Sequence, residues 1–169
     1  MAHIIFITGG QRSGKSRFAM EKAENESENP VYLATSRFWD PEHAQRIKQH
    51  QLDRKAHWET IENEKEISQH DFTGRTVLMD CFNISMTNYF YDLDQDIDQS
   101  LEEGKKHIEA LNKQDFLWII VTNEIGMGGH PVSRMQSKFT DLLGWMNQYI
   151  ASLADEAYLM VSGLPVKIK

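Results

Sequence analysis

The sequence predicts an α/β protein: a mostly parallel sheet with helices on both faces and a C-terminal edge hairpin. Three observations carry that expectation. Short, β-branched apolar runs recur along the chain, and longer polar stretches of helical character separate them. The runs are continuous rather than alternating, as strands covered on both faces are. A glycine-rich turn joins the first run to the first helical stretch.

The elements follow in order. Ile4-Ile5-Phe6-Ile7 reads as a buried strand and Arg17 to Ala23 as part of a helix. Val31 to Thr35 is a second strand. Asp40-Pro41-Glu42 has the marks of a helix start, with Asp at the cap, Pro at the first helical position and Glu in the first turn; that helix runs to about Arg54. The acidic stretch Glu59 to Asp71 is a loop or short edge element with solvated charges. Val77 to Asp80 is a third strand, and a long polar helical region then ends near Asn112. Phe116 to Thr122 is a fourth strand, Gln136 to Leu153 an amphipathic helix containing Gly144, and Ala157 to Ser162 a fifth strand. Pro165 to Ile168 returns as the hairpin edge. Phe82, Met86, Tyr89 and Phe90 are either core or the apolar stock of a subunit interface.

The chain has 169 residues, 40% hydrophobic and 25% charged. That length and composition suit one domain with a real core, taken as residues 1–169. The formal net charge is -7, which argues against a protein that tracks nucleic-acid backbones. Cys81 is the one cysteine, so no internal disulfide forms and a reducing compartment is expected. The apolar run Ile4 to Ile7 stops at Gly9-Gly10 and is no signal peptide. Phe116 to Val121, the longest apolar run, is too short to span a bilayer. The cytoplasm is the expected location.

Gly9-Gly10-Gln11-Arg12-Ser13-Gly14-Lys15-Ser16 fits G-x-x-x-x-G-K-[ST] at every fixed position, after a strand and before a helix. Glycines allow the backbone to aim successive N–H groups at phosphate oxygens, and the helix N-terminus adds partial positive charge. Lys15 then reaches the β and γ phosphates, and the Ser16 hydroxyl ligates Mg²⁺. Asp80, ending the third strand, is the expected second Mg²⁺ holder. Glu124, after the fourth strand, is a further carboxylate at the same sheet edge, placed to serve the metal or orient a nucleophile. Asn112-Lys113-Gln114-Asp115 matches the N-K-x-D pattern that reads guanine in small GTPases. It precedes its strand, however, and so lies at the opposite sheet edge; Asn112 reads better as a helix C-cap.

The segment from Asp40 to Glu62 contains His43, His50 and His57. Around them stand Arg46-Ile47 followed by His50, then Arg54, Trp58, Thr60 and Glu62. Together with T-G-G-x-R-S-G-K-S from Thr8 to Ser16, Tyr32 to Thr35, Asp80-Cys81, Asn88, the run Thr122 to Gly128, Asp141, Gly144, Asn147-Gln148, Ala154-Asp155-Glu156 and Ser162 to Pro165, the pattern resembles the bifunctional adenosylcobinamide kinase/adenosylcobinamide-phosphate guanylyltransferase family of cobalamin biosynthesis. The resemblance covers nearly the whole chain.

The resemblance implies a RecA-like P-loop NTPase fold and two activities: phosphorylation of adenosylcobinamide by a nucleoside triphosphate, ATP or GTP, and transfer of GMP from GTP to the resulting phosphate through a guanylylated histidine. The matching histidine is His50. The resemblance also puts Glu62 and Asp80 among the nucleotide-site residues, makes the corrinoid the small-molecule partner and suggests a homotrimer. The sequence departs from the family pattern at Gly129-His130, and at Ser137 and Thr140 where arginines are expected; Arg134 and Lys138 are nearby sources of charge. Two other readings fit the same residues: a stand-alone P-loop small-molecule kinase, and a nucleotide-binding regulatory protein without catalysis.

Overall fold

The computed structural model describes residues 1–37 and 57–169. The helix expected from Asp40 to about Arg54, with Arg46, Ile47, His43 and His50, lies outside the described residues. The described elements are β1 (His3–Gly9), α1 (Lys15–Glu26), β2 (Val31–Ala34), β3 (Glu59–Glu62), a 3-10 turn (Ile67–Gln69), β4 (Thr76–Asp80), α2 (Phe82–Asp92), α3 (Ile97–Asn112), β5 (Leu117–Val121), α4 (Arg134–Leu153), β6 (Glu156–Val161) and β7 (Leu164–Lys167).

The strands form one sheet in the order β3-β2-β4-β5-β1-β6-β7. All pairs are parallel except the terminal hairpin, β6 with β7. β1 is flanked by β5 and β6, with Ile5 opposite Ile119 on one side and Glu156 on the other. One strand, β5, separates β1 from β4. This is the expected α/β architecture.

The apolar runs lack alternation because both faces are covered. Ile4, Phe6, Leu33, Met79, Trp118 and Ile120 face a core completed by Phe82, Met86, Ile108, Leu143 and Ile150 of α2, α3 and α4. Their sequence neighbours Ile5, Ile7, Tyr32, Leu78, Ile119 and Val121 face the other side, against Ala19 and Ala23 of α1 and Trp58. Phe82, Met86, Tyr89 and Phe90 are buried, so the choice between core and subunit interface resolves to core.

Three local expectations shift. The polar region before β5 is two helices, not one. Asp94 and Gln95 have positive φ between them, and the Asp96 side chain caps α3 by accepting from the Gln99 N–H at 2.9 Å. Helix α4 starts at Arg134, earlier than Gln136, because Ser133 caps it and the Gln136 side chain reaches back to the Val132 N–H. Asn112 is the last residue of α3, and Lys113 takes the C-cap position. The acidic stretch supplies the short edge strand β3 and the 3-10 turn.

Candidate phosphate and metal site

β1 ends at Gly9, α1 begins at Lys15, and the loop between them lies at the carboxyl edge of the parallel strands. Two of its glycines are demanded by crowding. A Cβ on Gly9 would sit 2.7 Å from the Met160 carbonyl oxygen and 2.8 Å from Ser13 Oγ. Gly14 caps α1 at φ +96°, and a Cβ there would meet the Gly163 Cα at 3.1 Å. A Cβ on Gly10 would meet nothing within 4 Å. Gln11 and Arg12 are exposed, and Arg12 has φ 55°.

Lys15 is only 7% exposed. Its ammonium turns back on the loop and donates to the Gly10 carbonyl at 2.6 Å. Burial holds its pKa below the ordinary lysine value, while Asp80 and then Cys81 oppose that shift. Lys15 and Asp80 therefore share one electrostatic neighbourhood, although β5 separates their strands. Burial, reinforced by the Asp80 carboxylate, pushes the Cys81 thiol up to about 12.

The carboxyl ends of β2, β3 and β4 are fixed by side chains reaching main-chain carbonyls. The Tyr32 hydroxyl donates to the Asp80 carbonyl at 3.2 Å and the Thr35 hydroxyl to the Cys81 carbonyl at 3.1 Å. Asn88, fully buried on α2, donates to the carbonyls of Thr35 at 3.0 Å and Glu64 at 2.9 Å. The resemblance singled out Asn88 without giving it a role; the structure makes it a stitch between two strand ends.

Glu124 is beside the loop, since its N–H donates to the Gly9 carbonyl at 3.0 Å. Its Oε1 accepts from the Gly126 N–H at 2.9 Å. Asn147 of α4 anchors this turn, accepting from the Thr122 hydroxyl and donating to the Asn123 carbonyl. Glu62 ends β3 and is exposed, with β2, β4 and β5 between it and β1; the structure does not bring it to the phosphate loop. Thr140 packs its methyl 3.9 Å from where a Cβ on Gly126 would lie. The Lys138 ammonium is directed to the Gln95 carbonyl at 3.2 Å. Asn112 to Asp115 lie at the opposite edge: the Asn112 carbonyl accepts from Ala2 N–H, ahead of β1.

Asp80 Oδ2 is buried and receives no hydrogen bond. A buried carboxylate oxygen without a donor is costly, and a cation offsets that cost. Ser16 and Asp80 supply hard oxygen donors, the set Mg²⁺ takes when phosphates complete its shell. The residues present therefore fit Mg²⁺. Among the described residues, no group of three His, Cys, Asp or Glu side chains forms a metal site of its own. No helix among them is long and apolar enough to cross a membrane.

A mostly parallel sheet with an inner strand that feeds a G-x-x-x-x-G-K-S loop, and an acid two strands away on the same edge, defines a P-loop nucleotide-binding protein of the α/β class. The model of the cobinamide kinase/cobinamide phosphate guanyltransferase family matches residues 5–168, and the chain belongs to that family. It is 38% identical to the bifunctional adenosylcobalamin biosynthesis protein CobU of Escherichia coli, over 98% of this chain and 99% of that protein. It is 35% identical to the protein of the same name from Salmonella typhimurium, over the same shares. The bifunctional adenosylcobalamin biosynthesis protein CobP of Pseudomonas aeruginosa is 33% identical, over 96% of this chain and 95% of its own length.

Proposed function

We propose that this bifunctional kinase and guanylyltransferase phosphorylates adenosylcobinamide and then transfers GMP to the phosphate through a guanylylated His50. The observation that supports this reading best is the joint placement of Lys15, Ser16, Asp80 and Glu124 at one sheet edge, in a chain matched by the family model from residue 5 to residue 168.

The main-chain N–H groups of Gly10 to Ser16 cradle the triphosphate, and the Lys15 ammonium exchanges the Gly10 carbonyl for phosphate oxygens. Ser16 and Asp80 hold Mg²⁺, which when bound neutralises charge developing on the phosphates. In the kinase step the substrate hydroxyl, oriented by Glu124, attacks the γ-phosphorus of ATP or GTP, the bond to the β-phosphate oxygen breaks, and the hydroxyl proton is lost to solvent. In the second step an imidazole nitrogen of His50 attacks the α-phosphorus of GTP and pyrophosphate leaves. The corrinoid phosphate oxygen then attacks the same phosphorus, the P–N bond breaks, and neutral imidazole is restored. Gln11, Arg12 and Ser13 belong to the nucleotide site in this reading, and Glu62, away from the phosphate loop, to the part of it remote from the phosphates; the reading also makes the enzyme a cytoplasmic homotrimer.

Incubation with α-labelled and with γ-labelled GTP, separately, tests the mechanism. The α label becomes attached to the protein by a bond stable in base and lost in acid, and peptide mapping places it at His50. His50→Ala abolishes GMP transfer and retains most of the kinase rate. Label on a lysine, or labelling undiminished in His50→Ala, would sink the histidine mechanism. γ-phosphate transfer with no α labelling favours the stand-alone kinase.

A further inference from the structure

The terminal hairpin touches the phosphate loop at one point. Ser162 and Gly163 form a two-residue turn, with φ 52° and 84°, between the paired residues Val161 and Leu164. Both central residues are in the left-handed region, as in the mirror-image turns that suit the twist of a hairpin. In such a turn the second central N–H lies outside the strand ladder. Here that spare donor, the Gly163 N–H, binds the Ser13 carbonyl at 2.9 Å. The approach is backbone on backbone, since a Cβ on Gly14 would come within 3.1 Å of the Gly163 Cα.

We propose that Gly163 is a positioning residue for triphosphate binding, acting through the Ser13–Gly14 peptide. That peptide is trans, because Asp80–Cys81 is the one cis bond among the described residues. In a planar trans peptide the C=O and N–H point in opposite directions. By drawing the Ser13 carbonyl toward the hairpin, Gly163 turns the Gly14 N–H away from it and into the loop. Gly14 is the N-cap of α1, so this is a donor at the helix N-terminus, where anions bind. Without the bond, the Ser13–Gly14 peptide is free to rotate and present its carbonyl to the phosphates. The Met160 carbonyl, closing on Gly9 from the same β6 strand, restricts the other end of the loop. The inference rests on the phosphate-site reading given above.

The test replaces the Gly163 amide by an ester, incorporating glycolic acid at that position in the full-length chain. This deletes the donor and leaves the hairpin ladder and turn dihedrals intact. Gly163→Ala is the comparison. It retains the N–H and strains the turn, and its Cβ meets only the Arg17 guanidinium at 3.5 Å. The ester is expected to weaken binding of a non-hydrolysable GTP analogue with Mg²⁺ about tenfold, the loss that follows when only about a tenth of the protein keeps the Ser13–Gly14 peptide in the binding orientation. The KM for the corrinoid stays near wild type, the melting temperature falls by only about 2–4 °C, and Gly163→Ala loses less nucleotide affinity than the ester. Wild-type affinity in the ester protein, or an equal loss in Gly163→Ala, overturns the positioning role. Lys15→Ala separates the two layers. If it still binds the analogue as wild type does, the phosphate-site reading itself fails. If it loses binding while the ester does not, only the role of Gly163 fails.

Discussion

Asp80 presents a buried carboxylate oxygen, Oδ2, that accepts no hydrogen bond. A group kept for stability alone would be poorly served by such a position, because a buried polar atom without a hydrogen-bond donor destabilises. Asp80→Asn is therefore expected to melt at or above the wild-type temperature while Mg²⁺-dependent turnover falls by about two orders of magnitude, the range seen when a charge-stabilising group at a reacting centre is lost. Nucleotide binding without Mg²⁺ changes less. An unchanged Mg²⁺ dependence would make Asp80 structural and move attention to Glu124. Lys15 and Ser16 were legible in the sequence from the G-x-x-x-x-G-K-S spacing, and Asp80 and Glu124 because each stands at or just past the end of an apolar strand. Two details of the same loop were not. The turn of Lys15 back onto Gly10 depends on local geometry that its neighbours do not specify. The bond from Gly163 to Ser13 is made by a backbone group, and backbone groups leave no residue-type signature.

Two glycines inside helices have opposite surroundings. A Cβ on Gly144 of α4 would meet nothing within 4 Å, so Gly144→Ala is expected to stabilise the protein by about 1 kcal/mol, the helix-propensity difference. That corresponds to roughly 2–4 °C in a scanning calorimeter; a lower melting temperature would show that the open space is occupied in solution. Gly104 of α3 allows no such gain. A Cβ there would lie 2.9 Å from Met86 Sδ and 3.2 Å from Met146 Cε, where α2, α3 and α4 converge. The sequence conveyed element type better than element boundaries. The apolar strands were unmistakable, and the S-x-x-Q pattern at Ser133 to Gln136 is a readable helix start that composition alone obscures. The break between α2 and α3 is harder to read. Leu93 to Gln95 carry no Gly or Pro, and the helix ends because Asp94 and Gln95 adopt positive φ and Asp96 caps the next one.

The whole molecule is also held by charge at the edge remote from the phosphate loop. Glu156, at the start of β6, accepts from the Tyr158 hydroxyl and from Lys167 of β7 at 3.2 Å, with Lys22 of α1 at 3.6 Å and His3 of β1 at 3.9 Å. The Tyr158 hydroxyl foremost, then Lys167 and Lys22, push its pKa from 4.5 down to about 2. A carboxylate whose pKa is depressed by folding stabilises the native state above its unfolded pKa and loses that contribution as pH falls toward the folded value. Glu156→Gln should therefore melt about 1–3 °C below wild type at neutral pH, the modest effect of a partly exposed pair. The difference should close as pH falls from 4.5 to about 2. A gap that persists at acid pH would assign the loss to packing.

The position of β1 also bears on how the chain folds. β1 has its hydrogen-bonding neighbours at Leu117–Val121 and Glu156–Val161, far along the chain from His3–Gly9. Parallel pairing over such separations is slow, because the intervening loop must be closed before any contact offsets its entropy. The nucleotide site is thus completed only once β5 and β6 have joined β1. Triphosphate binding therefore cannot assist the earliest pairing steps, and any stabilisation the ligand gives comes after the long-range contacts have formed.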